Sequence, residues 1–361
     1  MFVLDGVVVY SASDLAAAAR CEYALLRAFD ARLGRGPKTD ADDDLLARTA
    51  RLGDEHEQRH LDELRAEVGD NAVVIGRPAH TRDGLIAAAD ATQDAVSRRA
   101  PVIVQAAMSD GRFVGFADFL VLDDGGYRLR DTKLARSVKV TALLQLAAYA
   151  DALGRTGVPI LDDVELALGN GTLMSYPVGE LLPVYRSRRQ VLQELLDTHL
   201  AGGQAVRWGD ESVRACLRCP ECQVQIDAYG DVLLVAGLRT TQRARMIDAG
   251  ITTLTQLAAH RGSIPGLSAA MSARLSLQAR LQKDSPVKGV PAYEVVNPDA
   301  LCGLPSPSPG DLFFDFEGDP LWTADGHHWG LEYLFGVLEA SNEFTPFWAH
   351  DRRQERQALR D

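Results

Sequence analysis

Apolar residues recur at helical spacing through much of the first 200 residues, and the shorter runs between them are rich in β-branched and aromatic residues. The helical spacing predicts helices over 12–33, 45–68, 83–99, 140–153 and 183–200. The shorter runs predict strands near 72–76, 101–109, 112–124, 126–135, 163–168 and 171–176. Asp124-Gly125-Gly126 separates two of these runs and predicts a hairpin turn. The pattern indicates a mixed α/β domain with a central sheet.

The pattern changes near residue 230. Residues 230–283 predict short helices, and from Arg239 to Lys283 they carry seven basic residues against one acid. Pro, Gly and Ser are frequent in 284–310, which predicts a linker, and 311–361 starts a new β-rich unit with DLFFDFEGDP. That unit has about 50 residues, too few to close a core of its own. We therefore expect four segments, 1–229, 230–283, 284–310 and 311–361.

Composition and charge limit the class of protein. With 361 residues, of which 46% are hydrophobic and 24% charged, the chain is expected to be soluble and to form two or three units. No apolar stretch approaches the ~18 residues of a membrane span, and the first residues do not resemble a secretory signal. We therefore expect a cytoplasmic protein without membrane association. The net charge of −12 argues against a protein that simply coats nucleic acid.

Four of the five cysteines have a spacing that indicates a metal centre. Cys216, Cys219 and Cys222 are clustered in RACLRCPEC, whereas Cys21 lies about 195 positions upstream. This spacing does not fit a local zinc knuckle, so the centre is expected to join distant parts of a folded domain. Zinc and an iron–sulfur cluster both use thiolate ligands, and the spacing leaves both open. Cys302 has no partner at ligand spacing and is expected to be a small buried or loop residue.

Two acids and a lysine lie on neighbouring strands of the predicted sheet. Asp118 is in GFADFLVL, and the next strand ends in Asp131-Thr132-Lys133, where alternation places Asp131 and Lys133 on one face. A hairpin can bring these faces together. Two carboxylates at one point repel each other unless a divalent cation neutralises them, and a lysine beside them can orient an attacking water. A D-x-K sequence alone occurs often by chance, so its chemistry depends on the residues around it.

Three further polar residues accompany the acids in chain order. His56 precedes them in the predicted helix GDEHEQ, and Gln145 and Tyr149 follow in QLAAY, four positions apart and therefore on one helical face. Taken singly, His56 would be an ordinary surface histidine and Tyr149 a half-buried core residue.

In this order, the residues resemble the RecB and AddB type nucleases of the PD-(D/E)xK superfamily, including their iron–sulfur members. The resemblance covers roughly residues 1–230. Its matching pieces are the early helix SASDL with Cys21-Glu22, G-x-x-H from Gly53 to His56, G-F-A-D ending at Asp118, D-T-K from Asp131 to Lys133, Q-x-x-x-Y from Gln145 to Tyr149, and the terminal cysteines.

The resemblance implies a restriction-endonuclease-like fold, in which helices flank a mixed sheet. It implies that His56, Asp118 and Asp131 bind Mg²⁺ or Mn²⁺ and that Lys133 assists the nucleophilic water. Asp131 stands where many relatives have Glu, and the superfamily pattern accepts either residue.

The same resemblance implies that Gln145 and Tyr149 face the site and the nucleic-acid backbone. It assigns a structural 4Fe–4S cluster to the four cysteines, with zinc as the less favoured occupant. Their last spacing is often longer in relatives. The implied substrate is DNA, single-stranded or at duplex ends, and the implied activity is an exodeoxyribonuclease of repair or recombination.

Two later motifs suggest further contacts with nucleic acid. Pro265, Gly266 and Leu267 resemble the turn of a helix-hairpin-helix, in which backbone N–H groups meet a phosphate, although a plain helical linker is an equal alternative. Asp315 and Glu317 resemble the first acidic motif of ribonuclease H-like, DEDD-type exonucleases, although a strand with two outward acids is a common alternative. The remaining acids of such a site would lie beyond Asp361, so this unit is expected to be incomplete and inactive by itself.

The sequence therefore predicts a divalent-metal-dependent DNA nuclease that forms the front part of a longer nuclease–helicase protein. It contains no G-x-x-x-x-G-K-[ST] motif, so no ATP site of that kind is expected. The competing hypothesis is a non-catalytic DNA-binding or scaffolding module that serves a helicase in cis or in trans. A redox-sensing iron–sulfur protein is a third hypothesis that no residue favours. Carboxylates of Asp118 and Asp131 that lie close together beside Lys133 would favour catalysis.

Overall fold

The computed structural model describes residues 1–37, 44–285 and 289–361, so residues 286–288 of the predicted linker lie outside the described residues. The described chain divides into two compact units, each assembled from separate segments. The first unit contains Met1–Arg20, Ala31–Gln204 and Pro307–Asp361. The second unit contains Cys21–Asp30 and Ala205–Ser306.

The helices and strands are numbered in chain order. The helices are α1 (Ala12–Arg20), α2 (Glu22–Arg32), α3 (Asp44–Val68), α4 (Arg82–Ser97), α5 (Val140–Arg155), α6 (Val178–Gly202), α7 (Pro220–Tyr229), α8 (Thr240–Asp248), α9 (Leu254–Ala259), α10 (Ala269–Asp284) and α11 (Arg352–Ala358). The strands are β1 (Phe2–Leu4), β2 (Val7–Val9), β3 (Ala72–Val74), β4 (Val102–Ser109), β5 (Val114–Asp123), β6 (Gly126–Lys133), β7 (Asp163–Leu168), β8 (Leu173–Pro177), β9 (Leu312–Thr323), β10 (Trp329–Glu339) and β11 (Phe344–Trp348).

A mixed six-stranded sheet forms the centre of the first unit, with the order β3-β4-β5-β6-β7-β8. Strand β3 runs parallel to β4 and β6 runs parallel to β7, while the other neighbours are antiparallel. Helix α5 packs against β4, β5, β6 and β7. Leu61 and Leu64 of α3 pack on Val102, Val104 and Phe119 of the sheet. The predicted mixed α/β fold with flanking helices is confirmed.

Most predicted helices and strands are found within a few residues of their expected bounds, but the helix predicted over 12–33 is wrong. It is two helices, because α1 ends at Arg20 and α2 begins at Glu22. The first N–H groups of α2, from Glu22 and Tyr23, donate to the carbonyl oxygen of Arg214 instead of continuing a helix from the preceding turn. The break places Cys21 at a helix end.

Residues of the last segment form a separate three-stranded antiparallel sheet with the order β11-β10-β9. It lies in the same unit as the six-stranded sheet and contacts it through polar groups. The indole N–H of Trp329 donates to the carbonyl oxygen of Gly169 at 2.8 Å. The Arg48 guanidinium on α3 donates to both carboxylate oxygens of Asp319, at 3.2 and 2.7 Å. These contacts dock the small sheet on α3 and on the turn between β7 and β8.

Short helices around an apolar core form most of the second unit. The core of α8, α9 and α10 includes Val232, Met246, Leu257 and Leu275. Arg243 forms a bidentate ion pair with the buried Asp231. None of the helices in the described part of the chain has the length and apolar character needed to cross a membrane.

Candidate active site

Strand register brings the two predicted acids together. The paired register of β5 and β6 ends at Phe119 opposite Arg130, so Asp118 and Asp131 are the next residues along the two strands. The Asp118 Oδ2 atom accepts hydrogen bonds from the Thr132 backbone N–H at 2.7 Å and from the Thr132 hydroxyl at 2.8 Å. These bonds fix the carboxylate of Asp118 beside Asp131.

The Asp131 side chain is fully buried, so its charged form is unfavourable. Burial raises its pKa well above the usual value, and the neighbouring Asp118 raises it further. The Lys133 ammonium forms an ion pair with Asp131 Oδ2 and offsets part of this effect. The other oxygen, Oδ1, is buried without a hydrogen-bond partner among the described residues. A buried acceptor that lacks a donor is a position that a cation can satisfy.

Lys133 retains its proton in this arrangement. Burial alone would lower its pKa, but Asp131 and Asp118 outweigh burial, so the pKa of Lys133 is raised. The side chain is therefore a positive charge next to the two acids. In this state it supplies electrostatic stabilisation rather than a free base.

Gln145 and Tyr149 lie on one face of α5, as their spacing predicts. The Gln145 amide donates to the Tyr149 hydroxyl at 2.9 Å. Burial and then the nearby Asp131 raise the pKa of Tyr149, so the phenol stays neutral. Gly115 on β5 allows the close approach of this ring, because a Cβ atom there would lie 2.8 Å from Tyr149 Cε1. The charges of Asp131 and Asp118 therefore act on the phenol of Tyr149.

The His56 ring contacts strand β7. Its Nε2 atom is 3.2 Å from the carbonyl oxygen of Ala167 on β7. Burial lowers its pKa, which favours the neutral imidazole that binds metals. Among the described residues, His56, Asp118 and Asp131 do not form a group whose ligand atoms all lie within 4.8 Å of one another. Its role as a metal ligand remains a prediction.

Glu57, the next residue on α3, contacts Gln105 on β4 and is affected by the charge of Asp118, and sequence reasoning missed it. Its Oε1 atom accepts a hydrogen bond from the Gln105 amide at 2.6 Å. Burial and then the charge of Asp118 raise its pKa. Gln105 has a left-handed backbone with φ of 53°, between residues that pair across from Phe119 and Ala117. Such a conformation in a non-glycine residue of a strand is costly and is concentrated at functional sites.

A divalent cation fits the acids of this site. The oxygen-only donors of Asp118 and Asp131 are those that Mg²⁺ and Mn²⁺ prefer. A cation would satisfy the orphaned Asp131 Oδ1 atom and neutralise the repulsion that raises the pKa of this acid. Glu57 adds a third carboxylate whose charge is coupled to Asp118.

The four predicted cysteines come together in the second unit. Each offers a sulfur atom, and the four atoms all lie within 4.8 Å of one another. Cys222 Sγ is 3.7 Å from Cys21 Sγ and 3.9 Å from Cys216 Sγ. Burial raises the pKa of Cys216, but the N–H groups of Arg218 and Cys219 outweigh it and lower this pKa to about 7. The group can hold a metal ion or a cluster.

The sulfur spacing and the motif favour different occupants of this cysteine centre. A tetrahedral zinc ion with ~2.3 Å bonds separates its thiolates by roughly 3.8 Å, close to the observed spacing. A 4Fe–4S cluster places more atoms between the thiolates and therefore needs wider separations. Four thiols that contact one another have a similar short spacing, so the distances alone do not identify the occupant. The exposed Cys302 lies outside this group.

Comparison with known proteins identifies the family of this chain. The sequence profile of the PD-(D/E)XK nuclease superfamily matches residues 10–225, more than half of the chain. The chain belongs to this superfamily. A solved structure from Eubacterium rectale, described as a candidate exonuclease, is 14% identical to this nuclease, with a TM-score of 0.33. The match covers 64% of this nuclease and 94% of that chain. A search among curated proteins found no match.

The two later motifs lie outside the acid site of this nuclease. Pro265, Gly266 and Leu267 form the turn between α9 and α10, and the Gly266 carbonyl accepts a hydrogen bond from Arg245 at 2.6 Å. Asp315 and Glu317 lie on the exposed strand β9. Asp315 and Glu317 are not part of a group of three metal-ligating residues among those that the structure describes. Their predicted roles remain proposals.

Proposed function

We propose that this protein is a divalent-metal-dependent nuclease that hydrolyses DNA phosphodiesters. The observation that carries the proposal is the juxtaposition of Asp118, Asp131 and Lys133, with one oxygen of the buried acid left without a donor. A scaffold that had lost catalysis would have no need to retain this unfavourable arrangement, because the buried acid costs stability.

The proposed ligands of the cation are Asp118 and Asp131, with His56 from the resemblance and Glu57 from the geometry. When bound, the cation would polarise the phosphodiester and acidify water. Thr132 holds Asp118 in position, and the Lys133 ammonium, paired with Asp131, would orient the attacking water and stabilise negative charge that develops on the phosphate. Hydrolysis adds water across the P–O bond and leaves one phosphate end and one hydroxyl end.

The reaction type is tested with DNA substrates of different topology. Linear single-stranded DNA, linear duplex DNA and circular single-stranded DNA are incubated with Mg²⁺, with Mn²⁺ or with EDTA. We expect cleavage of linear DNA that needs a divalent cation, and resistance of the circle if ends are required. RNA of the same sequence is the control for DNA preference. Failure to cleave any of these with either cation would reject the proposed function.

We propose a structural 4Fe–4S cluster at the cysteine centre, with zinc as the alternative. Anaerobic purification followed by iron, sulfide and zinc analysis separates them. The proposal predicts about four iron and four sulfide per chain, lost in Cys219→Ser. One zinc per chain without sulfide would replace the cluster with a zinc site.

The wider setting of the nuclease is also a proposal. We infer a cytoplasmic role in DNA repair or recombination, with a helicase in cis or in trans. The helix-hairpin-helix-like turn at Pro265, Gly266 and Leu267 would support DNA binding, and Asp315 and Glu317 would begin an incomplete ribonuclease H-like site. The alternative, a non-catalytic scaffold, predicts DNA binding without metal-dependent cleavage in the experiment above.

A further inference from the structure

A cleft of about 300 Å³ opens beside Lys133, and we name it the α1–α5 cleft. Its walls include Arg20 at the end of α1, Lys139 immediately before α5, and Gln145 on α5. Hydroxyl groups of Ser13, Ser137 and Thr141 also line it. The volume is at the lower end of the range for small-molecule sites and suits a group of nucleotide size.

The cations of the cleft are available to a ligand. Arg20 and Lys139 are exposed, and neither side chain forms an ion pair or hydrogen bond with any residue in the described ranges. No Asp or Glu is among the described residues that line the cleft. Since Lys133 is already paired with Asp131, the two unpaired side chains give the cleft a positive charge that an anion would neutralise.

The start of α5 adds backbone donors to the same wall. Lys139 precedes the helix without a side-chain hydrogen bond to its N–H groups, and the first turn contains no acid. Thr141 and Ala142 of this turn line the cleft. Because the N–H groups and the dipole at a helix start attract phosphate, this wall complements the two cations beside it.

We propose that the α1–α5 cleft binds a backbone phosphate of the DNA strand that is cut, next to the phosphate that reacts. Lys133 links the two positions, because it borders the cleft and pairs with Asp131. A strand with one phosphate in the cleft therefore presents a neighbouring phosphodiester to the acids. The inference rests on the proposed nuclease function and assigns Arg20 and Lys139 to substrate binding rather than to the chemical step.

The test uses Arg20→Ala, Lys139→Ala and the double variant in the full chain. Arg98→Ala is the matched control, because it removes the same charge from an exposed side chain that follows α4 directly and is paired with Asp94. Binding of a fluorescent single-stranded oligonucleotide is measured in EDTA over a range of salt, and KM and kcat are measured with the cation. Unchanged thermal midpoints show that the variants are folded.

The double variant is expected to weaken binding about tenfold near 0.1 M salt, and the slope of log affinity against log salt should fall by about 0.7 per lost contact. KM should rise by a similar factor, kcat should change by less than about twofold, and Arg98→Ala should match the wild type.

Unchanged affinity and salt slope in the double variant, with a wild type that cleaves DNA, would overturn the cleft assignment and leave the nuclease proposal intact. An increase in KM equal to that of Arg98→Ala would overturn it as well, because it would show only a general charge effect. The binding measurement in EDTA does not depend on cleavage, so a wild type without activity would reject the proposed function separately.

Discussion

Asp131 illustrates how a single residue can indicate function through its cost to stability. It is fully buried beside a second acid, its charge is only partly offset by Lys133, and one of its oxygens lacks a donor. Such an arrangement is unfavourable in the absence of a cation. A buried acid of this kind, in a sheet that also contains a strained strand position at Gln105 on β4, is typical of a catalytic or metal-binding site.

The first prediction concerns the stability of Asp131→Asn without metal. In the unfolded chain this acid titrates near ~3.9, whereas in the folded chain its pKa is raised. The folded protein therefore binds more protons between the two values, and wild-type stability falls as the pH rises through that range. Asparagine avoids this loss, so in EDTA the variant should have the higher thermal midpoint at about pH 8.

The stability advantage of Asp131→Asn should shrink as the pH approaches ~4, where Asp131 becomes protonated in both the folded and the unfolded wild-type chain. Added Mn²⁺ should raise the midpoint of the wild type and have little effect on Asp131→Asn. Asp123→Asn on the same hairpin, an exposed acid paired with Arg128, should respond to Mn²⁺ as the wild type does. A less stable Asn variant under EDTA at high pH would contradict this interpretation of the buried acid.

The sequence was sufficient to predict the positions of Asp118, Asp131 and Lys133, because alternation along two strands joined by a hairpin determines which residues share a face. The sequence was not sufficient to predict the position of the Glu57 side chain. Neighbouring residues of a helix point in directions ~100° apart, and only the packing of α3 on the sheet shows that Glu57 bonds to Gln105 and is affected by the charge of Asp118.

At the scale of elements, the small sheet of β9, β10 and β11 contributes to the same compact unit as the nuclease sheet. Trp329 is 9% exposed, and its indole N–H satisfies the carbonyl of Gly169 in the turn after β7. Arg48 on the helix that carries Glu57 holds Asp319. The short last segment therefore obtains part of its stability from contacts with the nuclease sheet and α3.

Trp329→Phe tests this docking. The substitution keeps an aromatic ring but leaves the Gly169 carbonyl without its donor, so the free energy of unfolding should fall by about 1–3 kcal/mol. Trp348→Phe is the matched control, because Trp348 is 55% exposed and the change should stay within about 0.5 kcal/mol. Chemical denaturation of both variants gives the comparison. Equal stability of the two variants would show that the indole contact does not hold the small sheet in place.

Element boundaries were predictable where the hydrophobic period was continuous, as in α3, α5 and β7. The break at Cys21 could not be predicted, because the apolar spacing of residues 12–33 continues across it. The first N–H groups of α2 bond to the carbonyl oxygen of Arg214, almost two hundred residues away. Local propensity contains no information about such a partner.

At the scale of the whole molecule, the sequence predicted that the remote Cys21 would meet the three clustered cysteines, and the structure places the four sulfur atoms within 4.8 Å of one another. The sequence was sufficient for this prediction, because one remote and three clustered cysteines are typical of a metal centre. The sequence does not identify the occupant of the centre, because zinc and iron–sulfur clusters both bind cysteine thiolates. Only elemental analysis distinguishes them.

Metal-dependent hydrolysis is the role that we propose for Asp118, Asp131 and Lys133. Its most direct test is the rate of DNA cleavage with Mg²⁺ or Mn²⁺ by Asp118→Asn, Lys133→Ala and the control Asp123→Asn, each shown to be folded by its thermal midpoint. We predict a loss of roughly a hundredfold or more in the first two variants and wild-type activity in the control. Wild-type rates in folded Asp118→Asn and Lys133→Ala would show that these residues do not perform the hydrolysis.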